Sequence, residues 1–148
     1  MSVPFRPSDD QTEEGQQVAA LCWRRVPALE VLLITSLRTR RWILPKGWPV
    51  RGLTLAQSAA HEALEEAGVT GEIAAEPFAS YSYLKEKKSG ALPCTVDIFA
   101  LMVTGQKAEW PEKGRRELAW LPAQKAARRV DEIALRQIIL EFRKSRSS

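Results

Sequence analysis

The sequence predicts a single domain of mixed α/β class, and three observations support this prediction. The chain has 148 residues with 45% hydrophobic content, enough for one core but too short for two ordinary domains. Several short apolar segments have the composition of β-strands. Two longer segments have the apolar spacing of helices that pack one face against a sheet. We expect this domain to span residues 16–144, between a disordered N-terminal tail at 1–15 and a C-terminal tail at 145–148.

The N-terminal half of the sequence contains several segments that are typical of short strands. Residues 17–23 and 29–35 are typical strand segments, and Pro27 marks the turn between them. The second segment contains the continuous apolar run Val-Leu-Leu-Ile, which indicates a strand that is buried on both faces. A short strand is predicted at 42–44. The segment 45–49 is predicted to be a loop, because its prolines and glycine interrupt regular structure.

One helix is predicted over Leu55–Ala67. Thr54 and Gln57 form a capping-box pattern at its start, and Gly68 is suited to end it. Beyond the helix, strands are predicted around 73–78, 80–84, 95–103 and 117–121. Pro122 suits the first turn of a short helix, and Asp131 is placed to cap a last amphipathic helix.

The helix over Leu55–Ala67 separates alanines from glutamates. At 3.6 residues per turn its alanines share one arc, where small side chains permit close packing on a sheet. Glu62, Glu65 and Glu66 share another arc, and like charges at this spacing repel by roughly 0.2–0.5 kcal/mol per pair. Two of them also lie in the last turn, where the helix dipole disfavours negative charge. A divalent cation that prefers oxygen ligands would compensate, although such a string also occurs on merely solvated helix faces.

The segment around this helix has the pattern of a known motif. It runs from Gly47 to Val69 as GWPVRGLTLAQSAAHEALEEAGV, and Leu-Pro-Lys precedes it. Its first glycine, its three glutamates and its final Gly-Val resemble the Nudix box. The Leu-Pro-Lys-Gly lead-in and the later Glu-Trp-Pro-Glu at 109–112 resemble the branch that includes diphosphoinositol-polyphosphate and dinucleoside-polyphosphate hydrolases. The resemblance implies an α/β/α sandwich around a mixed β-sheet, and metal-dependent hydrolysis of a pyrophosphate linkage.

Two positions depart from the box. Leu53 stands where the first glutamate is usual, and His61 stands where arginine is usual. The resemblance implies that the missing glutamate is auxiliary and that the arginine orients a metal-binding glutamate. We therefore expect His61 to support the glutamate cluster, with an inert surface histidine as the alternative.

The resemblance also implies roles for individual residues. Mg²⁺ or Mn²⁺ would be held chiefly by Glu65 and Glu66, while Glu62 joins them or positions the attacking water, and the backbone of Gly47 completes the set. Such ions neutralise phosphate charge and lower the pKa of bound water. The general base is expected in the 109–112 segment, with Glu112 the first choice and Glu109 the second.

Basic side chains near the box are the candidates for binding substrate phosphates, since arginine matches phosphate geometry well. Arg115 and Arg116, which follow the 109–112 segment, are further candidates. Four residues that flank the box are our predicted substrate-binding set: Arg38, Arg40, Arg41 and Lys46.

Composition limits the remaining function classes. The net charge of +4 suits an anionic ligand but does not identify one. Cys22 and Cys94 lie far apart in apolar segments, which predicts buried free thiols and a reducing, cytoplasmic location. The chain shows no apolar leader and no run long enough to span a bilayer, so no membrane partner is expected.

Three functions stay open at this point. The first is hydrolysis of a phosphorylated small molecule, either a dinucleoside polyphosphate or, next, a diphosphoinositol compound. The second is a non-catalytic module that senses a ligand, and the third is removal of pyrophosphate from RNA 5′ ends. A nucleic-acid partner is disfavoured because no run of interleaved aromatic and basic residues is present. We expect a monomer or a homodimer.

Overall fold

The computed structural model describes residues 15–146. The predicted N-terminal tail lies outside this range except for Gly15, as do the last two residues of the predicted C-terminal tail. The described chain forms strands and helices in this order: β1 Gln16–Arg25, β2 Leu29–Thr35, β3 Trp42–Ile43, β4 Lys46–Gly47, α1 Leu55–Ala67, β5 Val69–Ile73, β6 Ala79–Lys87, β7 Gly90–Gln106, β8 Leu118–Pro122, α2 Ala123–Arg129 and α3 Ile133–Arg146.

All of these strands belong to one mixed sheet. β1 and β7 pair in parallel, from Gln16 opposite Thr95 to Trp23 opposite Met102. The other pairs are antiparallel: β1 with β2 and β4, β2 with β3 and β8, and β7 with β5 and β6. The parallel β1–β7 pair therefore forms the centre of the sheet, and the short β4 lies beside β1.

Helices cover both faces of this sheet. Successive residues of a strand point to opposite faces. Accordingly, Leu21 and Trp23 pack in a core with α2 and α3, whereas Ala20 and Cys22 pack in a second core with α1. This arrangement confirms the α/β class and the predicted sandwich. Cys22 and Cys94 are both buried and unbridged, as predicted.

The predicted helix α1 is confirmed with its caps. The Gln57 N–H donates to Thr54 Oγ1 at 3.0 Å, and the Thr54 N–H donates to Gln57 Oε1 at 2.9 Å, which completes the capping box. Gly68 ends the helix with φ 72°, the left-handed conformation that glycine adopts readily. The alanine arc faces the sheet as expected, with these members buried: Ala56, Ala59, Ala63 and Ala67.

Two predicted segments were wrong. The strand expected at 73–78 is instead β5, Val69–Ile73, and residues 74–78 connect it to β6. The glycine inside β5 concealed it, yet Gly71 lies so close to β7 that an added Cβ would overlap the Met102 carbonyl. The predicted loop 45–49 contains the two-residue strand β4, which pairs with Val18 and Ala19 of β1. Such short pairing depends on tertiary contacts that local sequence does not encode.

The last helix, α3, extends further than its apolar spacing indicated. It runs to Arg146 and takes in the first two residues of the predicted C-terminal tail. Its first turn begins at Glu132, whose carbonyl accepts the Arg136 N–H at 3.0 Å, one residue after the predicted cap Asp131. Within residues 15–146, no helix is both long enough and apolar enough to cross a bilayer.

Candidate active site

The short strand β4 brings the glutamates of α1 against the sheet. Lys46 and Gly47 of β4 are fixed by pairing with β1, and the alanine arc of α1 lies on the same side. Gly47 has no side chain to separate it from the helix, and an added Cβ there would stand 2.5 Å from the Glu62 carboxylate carbon. The Glu62 carboxylate therefore lies directly against the backbone of Gly47.

Glu66 is the most enclosed of the three box glutamates, with 6% of its surface exposed. Its Oε1 accepts the backbone N–H of Lys46 at 3.2 Å. Its Oε2 accepts a hydrogen bond from the Arg116 guanidinium at 3.3 Å. Both carboxylate oxygens are thus held, one by β4 and one by the segment between β7 and β8.

Arg116 links this glutamate to the candidate base. Its Nε donates to Glu112 Oε1 at 2.7 Å, and its Nη1 donates to the Thr35 carbonyl at 3.0 Å. The Glu112 N–H donates to the Glu65 carbonyl at 3.1 Å, so the 109–112 segment is anchored to the last turn of α1. The structure therefore brings Glu62, Glu66 and Glu112 together.

Burial and mutual repulsion shift the pKa values of these carboxyls upward. Burial raises the pKa of Glu66 to about 8, Glu62 and Glu112 add to the increase, and Arg116 opposes it. Burial also raises the pKa of Glu62, and Glu65 and Glu112 add to this increase. His61 and a hydrogen bond with Glu66 lower the same pKa. The cluster is incompletely neutralised by the side chains around it, which favours an added cation.

Glu65 is placed differently from its neighbours. Its side chain is 37% exposed, and its Oε2 lies 3.7 Å from His61 Nε2. Among residues 15–146, no three His, Cys, Asp or Glu side chains are arranged as a ready metal site. Glu62 and Glu66 adjoin each other, whereas Glu65 would have to turn inward to join them. His61 contacts the cluster through Glu65, the glutamate that is left outside.

A cavity of about 250 Å³ lies beside Lys46, against the core that α2 and α3 form with the sheet. The box glutamates and Glu112 are not among the residues that line it. Three of the four predicted substrate-binding residues line it, namely Arg38, Arg41 and Lys46. Lys46 joins the two regions, because its backbone N–H binds Glu66 while its Nζ lies 5.2 Å from the ring centroid of Tyr83 in the cavity wall. Burial lowers the pKa of Lys46, and the nearby Lys85 adds to this effect.

Two predicted candidates lie away from the site. Arg40 donates to the Arg115 carbonyl at 2.9 Å and does not line the cavity. Arg40 has a positive φ of 59°, so its side chain points in a different direction from those of Arg38 and Arg41. The closeness of the three residues in sequence did not predict this. Glu109 is largely exposed and pairs with Lys113 at 3.1 Å, so Glu112 alone of the two candidate bases reaches the cluster.

The sequence reasoning missed the aromatic wall of the cavity. Trp42, Tyr81 and Tyr83 line it together with the basic residues. Tyr81 and Tyr83 alternate with exposed serines along β6, so both rings lie on one face of the sheet. That alternation was the available signal. The Thr35 carbonyl, which holds Arg116, has no sequence signal because any residue supplies one.

Comparison with curated proteins places the chain beside plant proteins. It is 33% identical over 131 residues to "Nudix hydrolase 12, mitochondrial" of Arabidopsis thaliana, covering 84% of this chain and 61% of that protein. It is 31% identical over 132 residues to "Nudix hydrolase 16, mitochondrial" of the same plant, covering 84% and 67%. The chain spans 61–62% of the length of the first two relatives. No family model matches the chain.

Solved structures share the fold at low sequence identity. "Crystal Structure of C. elegans Ap4A Hydrolase" superimposes with a TM-score of 0.65 at 17% identity, covering 90% of this chain and 98% of that one. "Structure of the E. coli dihydroneopterin triphosphate pyrophosphohydrolase" gives 0.67 at 18%, covering 97% and 99%. The NUDIX domain of Shewanella oneidensis NrtR, complexed with ADP ribose, gives 0.64 at 16%, covering 86% and 87%. At these identities the likeness establishes a shared fold.

Proposed function

Because the chain belongs to the Nudix hydrolase family, we propose that it is a metal-dependent hydrolase that cleaves a pyrophosphate linkage in a phosphorylated small molecule. One observation carries the proposal. The carboxylates of Glu62, Glu66 and Glu112 lie together, and Glu66 accepts the backbone N–H of Lys46. Lys46 in turn lines a cavity together with Arg38 and Arg41. Lys46 therefore connects a candidate cation site with a candidate anion site, and hydrolysis of a phosphoanhydride requires both.

The donor set fits Mg²⁺ or Mn²⁺. These hard cations prefer carboxylate and carbonyl oxygens, which Glu62, Glu66 and the backbone of Gly47 offer at one place. Close contact between Glu62 and Gly47 leaves no intervening side chain, and Glu65 lies one turn from Glu62 on the same helix edge. When bound, the ion neutralises phosphate charge and lowers the pKa of bound water.

The chain's own residues supply binding and proton transfer. Arg38, Arg41 and Lys46 hold the phosphates in the cavity through charge-assisted hydrogen bonds. Glu112 accepts the proton of the attacking water; Arg116 binds its Oε1, which leaves the other carboxylate oxygen for that role. A covalent protein intermediate is not needed, since phosphoryl transfer depends mainly on positioning and electrostatics.

A dinucleoside polyphosphate is the substrate we place first, and a diphosphoinositol polyphosphate second. The aromatic wall formed by Trp42, Tyr81 and Tyr83 supports a planar base beside the basic residues. The solved C. elegans structure is titled an Ap4A hydrolase. An inositol phosphate would use the basic side chains and leave the rings without a stacking partner.

The test is product formation, resolved by anion-exchange chromatography, from a substrate panel with Mg²⁺ or Mn²⁺, run on the wild type and on Glu66→Gln. The panel holds a dinucleoside polyphosphate, a diphosphoinositol polyphosphate, ADP-ribose and a 5′-triphosphorylated RNA. We expect turnover that EDTA abolishes and that Glu66→Gln reduces by about 100-fold or more, on the scale of other lost charge-stabilising groups. Glu141→Gln, on the exposed side of α3, is the matched control and should retain wild-type rates.

A second function, ligand sensing without catalysis, is favoured by one observation. Glu65 lies outside the cluster beside His61, and no ready three-ligand metal site exists in the part of the chain that the structure describes. Tight binding of ADP-ribose or a dinucleoside polyphosphate with no turnover under either metal would establish this function and overturn the hydrolase.

We also propose a reducing, cytoplasmic location and a monomer or homodimer. The two buried free thiols support the compartment. The names of several Arabidopsis relatives include "mitochondrial", so localisation of a tagged chain and its mass in solution are the deciding measurements.

A further inference from the structure

Arg116 is a nearly buried cation at the centre of the carboxylate cluster. Its side chain is 8% exposed, and each of its three nitrogens binds a different oxygen. Nε binds Glu112 Oε1 at 2.7 Å, Nη2 binds Glu66 Oε2 at 3.3 Å, and Nη1 binds the Thr35 carbonyl at 3.0 Å. The guanidinium therefore bridges α1, the 109–112 segment and the end of β2.

These bonds leave Arg116 poorly suited to bind substrate. A phosphate-binding arginine presents its paired N–H groups to the ligand. In Arg116 the donors point to protein oxygens, and the residue does not line the cavity that contains Arg38, Arg41 and Lys46. Sequence position alone made it a phosphate-binding candidate, and its contacts argue for a different task.

The carboxylates need a permanent counter-charge. Glu112 raises the pKa of both Glu62 and Glu66, and Glu62 raises that of Glu66. His61, which precedes Glu62 on α1, lies 3.7 Å from Glu65 and is charged only when protonated. Arginine keeps its charge at every working pH, and its planar fork fixes the direction of two carboxylates at once.

We propose that Arg116 is a positioning residue that holds Glu66 and Glu112 in their working orientation and places a fixed positive charge between them. The inference rests on the proposed function in assigning work to those glutamates. Its charge role stands independently, because the contacts exist in the protein without substrate.

The experiment compares Arg116→Met and Arg116→Lys with the wild type. Arg24→Met is the matched control. Arg24 also forms an ion pair with a glutamate, Glu30, at 2.8 Å. It lies on β1, five residues beyond Ala19, the residue that pairs with Lys46. Two readouts are taken on each protein. One is the rise in Tm that saturating Mn²⁺ causes without substrate, and the other is kcat and KM on the best substrate of the panel.

We expect Arg116→Met to lower kcat by roughly 10- to 100-fold with little change in KM, the pattern of a lost orienting contact. Without metal its Tm should fall, and Mn²⁺ should raise that Tm by more than it raises the wild type, because the ion then replaces a missing charge. Arg116→Lys keeps the positive charge but loses the planar guanidinium that binds two carboxylates. In this variant Mn²⁺ should raise the Tm by as much as in the wild type, while kcat stays low. Arg24→Met should match the wild type in kcat and in the Mn²⁺ increment.

Other outcomes would overturn the inference. A raised KM with unchanged kcat would make Arg116 a substrate-binding residue. A lower Tm with unchanged kcat and an unchanged Mn²⁺ increment would make its role purely structural. If the wild type turns over no substrate, the hydrolase proposal fails, while the Mn²⁺ increments of Arg116→Met and Arg116→Lys still decide the charge role. If Arg116→Met does not fold, Arg116→Lys decides the positioning role, and wild-type kcat in that variant would refute it.

Discussion

The two faces of the sheet bury different kinds of side chain. On one face, α3 packs large side chains against the sheet, and its Phe142 lies edge-on to Trp23 and Phe78 with ring centroids 5.8 Å and 5.2 Å apart. On the other face, α1 meets the sheet through alanines, among them Ala59 and Ala63. Large side chains keep helices and sheet further apart, whereas alanines let the backbone of α1 approach closely.

That difference separates the large apolar core from the carboxylate cluster. The aromatic face gains more from apolar burial, which scales with area removed from water. The alanine face gains less but holds the edge of α1 near enough for Glu66 to accept the Lys46 N–H and for Glu62 to touch Gly47. We infer that the first face sets how firmly the domain folds and the second sets where the carboxylates stand.

The largest expected loss of stability is in the aromatic face. Phe142→Ala should lower the free energy of unfolding by roughly 3–5 kcal/mol, because a fully buried ring leaves a cavity between α3 and the sheet. Urea denaturation gives the value. At a temperature where the variant is still folded, its kcat should match the wild type, and a parallel collapse of kcat would mean that the two faces are not separable.

Overpacking the alanine face should have a smaller effect on stability and a greater one on activity. Ala63→Leu should cost about 1–3 kcal/mol and push α1 off the sheet, which moves Glu62 and Glu66 away from β4. Ala126→Leu makes the same change at an equally buried site on α2. We expect similar losses in urea denaturation for both variants but a large fall in kcat for Ala63→Leu alone; equal kcat in the two would contradict the comparison.

A still smaller stability change is expected at Gly47. The three atoms nearest an added Cβ all belong to the flexible end of Glu62, so Gly47→Ala should change the free energy of unfolding by less than about 1 kcal/mol. The displaced carboxylate should nevertheless lower kcat, by up to about 100-fold if it shifts by an ångström. Gly105→Ala, whose Cβ meets only the Thr70 hydroxyl, is the control; wild-type activity in Gly47→Ala would remove Glu62 from the site.

The last expected effect is a difference in pH dependence. In the metal-free protein the pKa of Glu66 is raised to about 8 from its usual 4.5. The folded state thus holds a proton that the unfolded state has lost, and this stabilisation fades as pH rises toward 8. Between pH 5 and 8, in EDTA, the Tm of the wild type should fall more steeply than that of Glu66→Gln. Parallel curves for the two proteins would show that folding does not raise the pKa of Glu66.

Local sequence predicted the parts that local chemistry determines. The bounds of α1, its Thr54–Gln57 capping box and its Gly68 end followed from side chains within a few residues of each other. The double-sided burial of β2 followed from its continuous apolar run. The separation of alanines from glutamates on α1 followed from helical periodicity, and the structure places both arcs as that periodicity requires.

What the sequence did not predict depends on distant parts of the chain. The bridge from Arg116 to Glu66 joins residues 50 positions apart and ends on a backbone carbonyl of β2. β4 forms because it pairs with β1, which is distant in sequence. β5 was not predicted because it contains a glycine, which its close approach to β7 requires. Glu65 shared the arc of Glu62 and Glu66, yet side-chain rotation placed it beside His61.

The most direct test of the central claim is calorimetric titration of the metal-free protein with Mn²⁺. The glutamate edge of α1, held against Lys46 and Gly47, should bind the ion in the wild type, and Glu62→Gln and Glu66→Gln should each weaken that binding. Glu141→Gln should leave it unchanged. Equal Mn²⁺ binding in all four proteins, or none in the wild type, would contradict the claim that these carboxylates form a cation site.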